Sequence, residues 1–289
     1  MQARKLGRSG VEVSAIGLGT MSLSLEDRPS ETAAIEVICA ALDEGTRLID
    51  TADVYALDDG EIGHGERLVA KALREWAGDA RDVVVATKGG IEHPGAPWSR
   101  NGRPAHLRAA CERSLQALGV DSIPLYQLSV PDPSVPFADT MGALARLREE
   151  GKIQHVGLSN VSLKEVDQAQ QIVPIASVQN RMNPFDLTSW LSGIVQGCAE
   201  RDIAFLAHTP AGGIRQRDSI GQSGPLNELA REHATTPQTV GLAWLLWKSP
   251  NLVPVVGATR VENVRASALA ASLSLRTADL AALDQALGA

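Results

Sequence analysis

An α/β fold, a (β/α)8 TIM barrel formed as one domain over residues 1–289, is predicted by three observations. Short apolar runs alternate with amphipathic stretches from one end of the chain to the other. The alternation repeats eight times, the number of parallel βαβ units that closes a barrel. The chain also has no linker, low-complexity tract or internal repeat, and its 289 residues with 44% hydrophobic side chains suffice for one large core.

A hairpin of Arg4–Leu6 and Val11–Val13 around Arg8-Ser9-Gly10 opens the chain and is expected to cap the barrel floor. Strands follow over Ser14–Leu18, Arg47–Asp50, Val83–Thr87, Ile123–Leu128, Ile153–Leu158, Ala176–Gln179, Ile203–Ala207 and Leu252–Val256. Helices fall between them at Glu31–Glu44, Glu66–Trp76, Pro104–Leu118, Phe137–Glu150, Leu163–Gln171, Thr188–Glu200 and Pro237–Trp247, with Val261–Ala271 after the last strand. Start signals support three of them: Ser30 before Glu31, Ser162 before Leu163, and Thr236 before a proline at the first helical position. Two extra helices are expected near the C-terminus, Leu226–Glu232 and Thr277–Leu287.

Composition removes several function classes. A net charge of −7 argues against nucleic acid or an anionic membrane as the main partner. No apolar stretch reaches the roughly 20 residues that span a bilayer, and the first residues lack the apolar core of a signal peptide. Cys39, Cys111 and Cys198 are odd in number and widely spaced, which fits free thiols in a reducing cytoplasmic setting. The six histidines are scattered, so the clustered ligands of a metal-dependent hydrolase are missing.

In a parallel barrel, the loops after the strands gather at one rim and carry the chemistry. Lys88 ends the run Val83–Thr87, where an ammonium is costly without a partner or a task. The preceding strand ends in Asp50 and is followed by Tyr55, one of only two tyrosines. A free phenol has a pKa near 10, too high for proton exchange at neutral pH, and a nearby ammonium held by an aspartate is expected to lower it. The three residues together are the parts of a proton donor to a developing alkoxide. Other polar strand ends on the same rim are Thr20, Ser129, Ser159, Asn160, Gln179, Asn180, His208 and Thr209.

The motifs Asp-Thr-Ala-Asp-Val-Tyr (50–55), Ala-Thr-Lys (86–88), Val-Gly-Leu-Ser-Asn (156–160) and Val-Gln-Asn (178–180) resemble those of the aldo-keto reductases. So do His106-Leu107-Arg108, Ser114–Asp121, Leu125-Tyr126-Gln127-Leu128 and Pro131-Asp132-Pro133, so the resemblance extends over nearly the whole chain. It implies a barrel that binds NADP(H) extended across the rim and reduces a small carbonyl-like substrate. Asp50, Tyr55 and Lys88 match three of the family's four catalytic positions. The fourth, usually histidine, is Ser129 here, with Pro124 and Val130 as altered flanks.

Three accounts of Ser129 stay open: an engineered inactivating change, a natural shift to another acceptor such as an imine or enone, or a retired enzyme. His64 and His93, in rim loops, are possible replacements for the missing imidazole. A non-catalytic or regulatory NADP-binding homologue is the alternative function. On the cofactor side, the resemblance assigns Ser159, Asn160 and Gln179 to the nicotinamide carboxamide and His208 to the stacking position. Thr209, Ala211, Gly212 and Gly213 would approach the pyrophosphate, and Gly257, Thr259 and Arg260 the adenosine phosphate, with Asp50 and Thr20 also at the cofactor edge. Trp98 is expected either to line a substrate loop or to pack in the core. No residue pattern specifies an oligomeric state.

Overall fold

The computed structural model of the chain describes residues 1–92, 98–213, 220 and 223–289. His93, expected in a rim loop, lies outside the described residues. Strands β1 (Ala3–Lys5) and β2 (Glu12–Ser14) form the expected antiparallel hairpin. The barrel strands are β3 (Gly17–Gly19), β4 (Leu48–Asp50), β5 (Val84–Gly89), β8 (Ile123–Leu128), β9 (Ile153–Ser159), β10 (Ile175–Arg181), β11 (Ala204–His208) and β12 (Leu252–Gly257). They pair in parallel in that order, and β12 closes on β3 through Val255 opposite Gly17. A short ribbon of β6 (Ile91–Glu92) and β7 (Ser99–Arg100) stands on the loop after β5.

The helices are α1 (Glu31–Asp43), α2 (His64–Glu75), α3 (Pro104–Leu118), α4 (Phe137–Glu149), α5 (Leu163–Gln170), α6 (Thr188–Leu191), α7 (Ile194–Glu200), α8 (Gly224–Glu232), α9 (Pro237–Lys248), α10 (Val261–Leu269) and α11 (Thr277–Leu287). The start signals act as read: Ser162 and Glu165 form a reciprocal capping box, and Thr236 Oγ1 accepts from Thr239 N at 3.1 Å ahead of Pro237.

Two boundaries differ from the sequence reading. The stretch Ser14–Leu18 is not one strand. Ser14 Oγ donates to Ile16 O at 2.6 Å and accepts from Arg47 N at 2.7 Å, and this local bonding ends the hairpin before the barrel begins at Gly17. The helix expected over Thr188–Glu200 is two, because Gly193 adopts φ of 76°, a left-handed value no helix interior accepts.

The hairpin caps the barrel as expected. Its Leu6 and Val13 are 0% and 2% exposed, and they pack with the inward-facing Leu48, Val84, Leu125, Leu206 and Val253. Inward positions thus begin apolar at the hairpin end and turn polar toward the strand C-termini: Val84, Ala86, Lys88 on β5, and Leu125 and Gln127 on β8 followed by Ser129. Among the described residues, no helix is long and apolar enough to cross a membrane, and no cluster of three or more His, Cys, Asp or Glu could hold a metal ion. The three cysteines are unpaired; burial pushes the Cys111 and Cys198 thiols up to about 12.

Candidate active site

Asp50, at the end of β4, is the hub. Its Oδ2 accepts from Lys88 Nζ at 2.6 Å, and its Oδ1 accepts from Gln179 Nε2 at 2.9 Å and Gln127 Nε2 at 3.1 Å. Lys88 also donates to Thr51 O at 2.8 Å, and its Nζ lies 5.4 Å from the Tyr55 ring centroid, where its charge acts on the phenol. An ammonium has three N–H groups and no acceptor, so one remains for the phenol side once Asp50 and Thr51 O are served. An N–H turned to the phenol can only donate to its oxygen, which leaves the Tyr55 O–H to point elsewhere.

The electrostatics correct the expectation that Lys88 lowers the phenol pKa outright. Burial pushes the Tyr55 phenol up; the Lys88 cation pulls it back, Asp50 and Asp53 oppose that pull, and the net direction is upward. For Lys88, burial acts to lower the pKa, but Asp50 and Tyr55 outweigh it, so the ammonium is held charged.

A second group lies across the rim. Ser159 Oγ donates to Gln179 O at 2.8 Å. Asn160, at φ of 57°, donates from Nδ2 to Ser129 O at 2.9 Å and to Ser159 Oγ at 3.0 Å. His208 turns Nδ1 to Thr209 Oγ1 at 2.9 Å and Nε2 toward Asn160 Oδ1 at 3.4 Å. Burial first, then the cations Arg181 and Lys88, depress the His208 imidazole to about 4, so the ring is neutral at ordinary pH. Thr20 is fully buried, and its hydroxyl donates to Asp50 O at 3.2 Å, so it braces β4.

A third group stands at the start of α10, where Arg260 is exposed beside Gly257 and Thr259. Strand β12 is separated from β5 by β3 and β4, which puts this group three strand spacings from Lys88, roughly 14 Å along the rim. Ser22 Oγ, buried with no hydrogen-bond partner, is 3.5 Å from the Cβ position of Gly257.

These observations fit an extended dinucleotide. The Gln179 amide nitrogen is committed to Asp50, so a carboxamide would meet Gln179 Oε1, Asn160 Oδ1 and the His208 edge. The neutral imidazole offers a stacking face, and the unsatisfied Ser22 hydroxyl and exposed Arg260 suit a phosphate-bearing end.

Several sequence expectations resolve differently. His64 is the first residue of α2 and lies in an outer groove with Glu31, Arg67 and Lys71, so it does not replace an imidazole at the site. Trp98 is 43% exposed and stacks over Tyr55, with ring centroids 6.4 Å apart and planes at 25°, which decides for the loop position over the core. Gln127 was missed. Counting by two from Ser129 along β8 finds it, since alternate residues share the barrel interior.

The Aldo/keto reductase family model matches residues 15–287. A soybean (Glycine max) protein described as a probable aldo-keto reductase 1 is 32% identical over 320 aligned positions, covering 99% of this chain and 89% of that one. A thermostable aldo-keto reductase crystallised with the inhibitor epalrestat superposes with a TM-score of 0.84 at 28% identity, covering 99% of this chain and 100% of that chain. A glycerol dehydrogenase from Gluconobacter oxydans also gives 0.84, at 26% identity, covering 99% and 95%.

Proposed function

Because the chain belongs to the aldo/keto reductase family, whose general chemistry is oxidoreduction of carbonyl compounds, we propose that it is an NADPH-dependent reductase. Its acceptor is an aldehyde, a ketone or a related C=N or C=C bond, with Tyr55 as the proton donor. The observation that carries this reading is the buried Lys88 ammonium, held by Asp50 and Thr51 O beside the Tyr55 ring. Asp50 and Thr51 O take two of its donors, the third is available to the phenol oxygen, and the Tyr55 O–H is then left to face a ligand.

A reduced nicotinamide held by Asn160, Gln179 and His208 would supply the hydride. As negative charge grows on the substrate oxygen, Tyr55 gives it a proton, and Lys88 stabilises the phenolate left behind. Asp50 and its glutamine partners keep that ammonium in place, so little reorganisation accompanies the transfer. Trp98 covers the outer face of Tyr55 and excludes water from one side. Ser129 stands where the family's imidazole is expected. A hydroxyl is too short to orient a carbonyl directly and would act through a water.

Titration with NADPH and NADH by fluorescence or calorimetry tests the reading. Saturable binding of NADPH is expected, and Arg260→Ala should weaken NADPH more than NADH because it removes the partner of the 2′-phosphate. Absence of saturable binding of either dinucleotide would remove the reductase reading.

A further inference from the structure

Behind the Tyr55 loop two carboxyl groups are buried on facing elements. Asp53 lies in the loop at 1% exposure, and Glu66 lies in the first turn of α2 at 0%. The same two elements are joined through the backbone: Gly63 N donates to Asp53 O at 2.7 Å, and Gly65 N donates to Tyr55 O at 3.1 Å. Asp53 and Glu66 therefore sit on the two halves of the clamp that holds Tyr55.

Little compensates their charge. On α3, Arg113 Nη2 is 3.8 Å from Asp53 Oδ2, but its side chain is 44% exposed. On α2, Arg67 acts on Glu66 from the exposed surface, and on β5 the Thr87 hydroxyl donates to Glu66 Oε1 at 2.6 Å. Tyr126 of β8 and Cys111 of α3 add no cation. Among the described residues, Asp53 Oδ1, Glu66 Oε2 and the Tyr126 hydroxyl are buried without close hydrogen-bond partners; the backbone of Asp53 and Val54 acts on Asp53, and the Ser114 hydroxyl and Arg113 of α3 act on Glu66, each favouring the charged form. Two buried carboxylates facing exposed guanidinium groups cannot both ionise cheaply.

We propose that Asp53 and Glu66 form a proton-holding carboxyl pair that positions Tyr55, keeping its loop docked on α2 while at least one of them is neutral. Loss of the proton places like charges on the two halves of the clamp. Burial, reinforced by Glu66, pushes the Asp53 carboxyl up to about 8, and burial pushes Glu66 up as well. A charged Asp53 also acts on the phenol, alongside the stronger influence of Lys88 and Asp50. Tyr55 thus senses the pair without ionising itself. Both are positioning residues, and their importance to turnover rests on the reading of Tyr55 as proton donor.

The chain has two tyrosines, so ring-labelled tyrosine yields two sets of NMR signals, assigned with Tyr55→Phe. In the native chain the Tyr55 signal should move through a step centred near pH 8. Asp53→Asn should abolish that step, and Glu66→Gln should move it down by about one unit by removing a like charge. Arg113→Met should move it up, and as a surface change it keeps the test valid if a buried substitution fails to fold. A native Tyr55 signal with no step in this window, or a step unmoved by Asp53→Asn or Arg113→Met in folded protein, overturns the proposal. The measurement needs neither cofactor nor substrate, so such a failure leaves NADPH binding and turnover to be judged separately.

Discussion

At the scale of single residues, the site depends on a buried ion pair, Lys88 with Asp50, each side chain 6% exposed. Lys88→Met leaves the carboxylate with only two neutral amide donors. It should cost about 3–5 kcal/mol in urea unfolding as well as most of the turnover, because an uncompensated buried charge remains. Unchanged stability would mean that the glutamines satisfy Asp50 unaided. Ser129→His asks a different question. In a weakened carbonyl reductase it should raise kcat/KM on simple aldehydes by roughly tenfold or more. If every activity stays unchanged while the dinucleotide still binds, the non-catalytic reading gains. Asp50, Tyr55 and Lys88 were legible in the sequence because charged or phenolic side chains at the ends of apolar runs are conspicuous. Gln127 was not, since an uncharged amide between Tyr126 and Leu128 carries no charge to explain. The upward net shift of the Tyr55 phenol was also hidden, because it depends on how deeply three-dimensional packing buries the ring.

At the scale of elements, the clamp between the Tyr55 loop and α2 makes stability depend on pH. In the fold burial holds the Asp53 proton on up to about pH 8, whereas in the unfolded chain it is lost near the ordinary carboxyl value of 3.8. Between those values the folded chain binds more protons than the unfolded one. This group's stabilising share is therefore complete below about pH 4, declines as pH rises through the window, and is gone above about pH 8. Asp53→Asn should flatten that decline in urea midpoints measured across the window; an unaltered slope would place the pH dependence elsewhere. Elements with strong periodicity and caps, such as α5 and α9, were readable in advance. The breaks at Ser14 and Gly193 were not, because one depends on a side-chain bond to a distant strand and the other on a single left-handed dihedral.

At the scale of the molecule, the barrel separates support from chemistry. The hairpin plugs one end with Leu6 and Val13, while Asp50, Lys88, Asn160 and His208 gather where the strands finish. The closed eight-strand order was legible from the repeated alternation, since parallel strands need crossover helices between them. Which rim residues meet was only partly legible, because neighbours such as Gln179 and Asp50 are 129 residues apart in sequence. The central claim is that Tyr55 delivers the proton, and it is tested most directly by comparing native chain and Tyr55→Phe in NADPH-dependent reduction of an aldehyde and ketone panel, with dinucleotide affinity measured on the same samples. The account predicts that kcat falls by about 10²–10⁴ while NADPH affinity is nearly unchanged, because the substitution removes a proton and little contact area. A Tyr55→Phe chain that turns over its substrate with native kcat would contradict it.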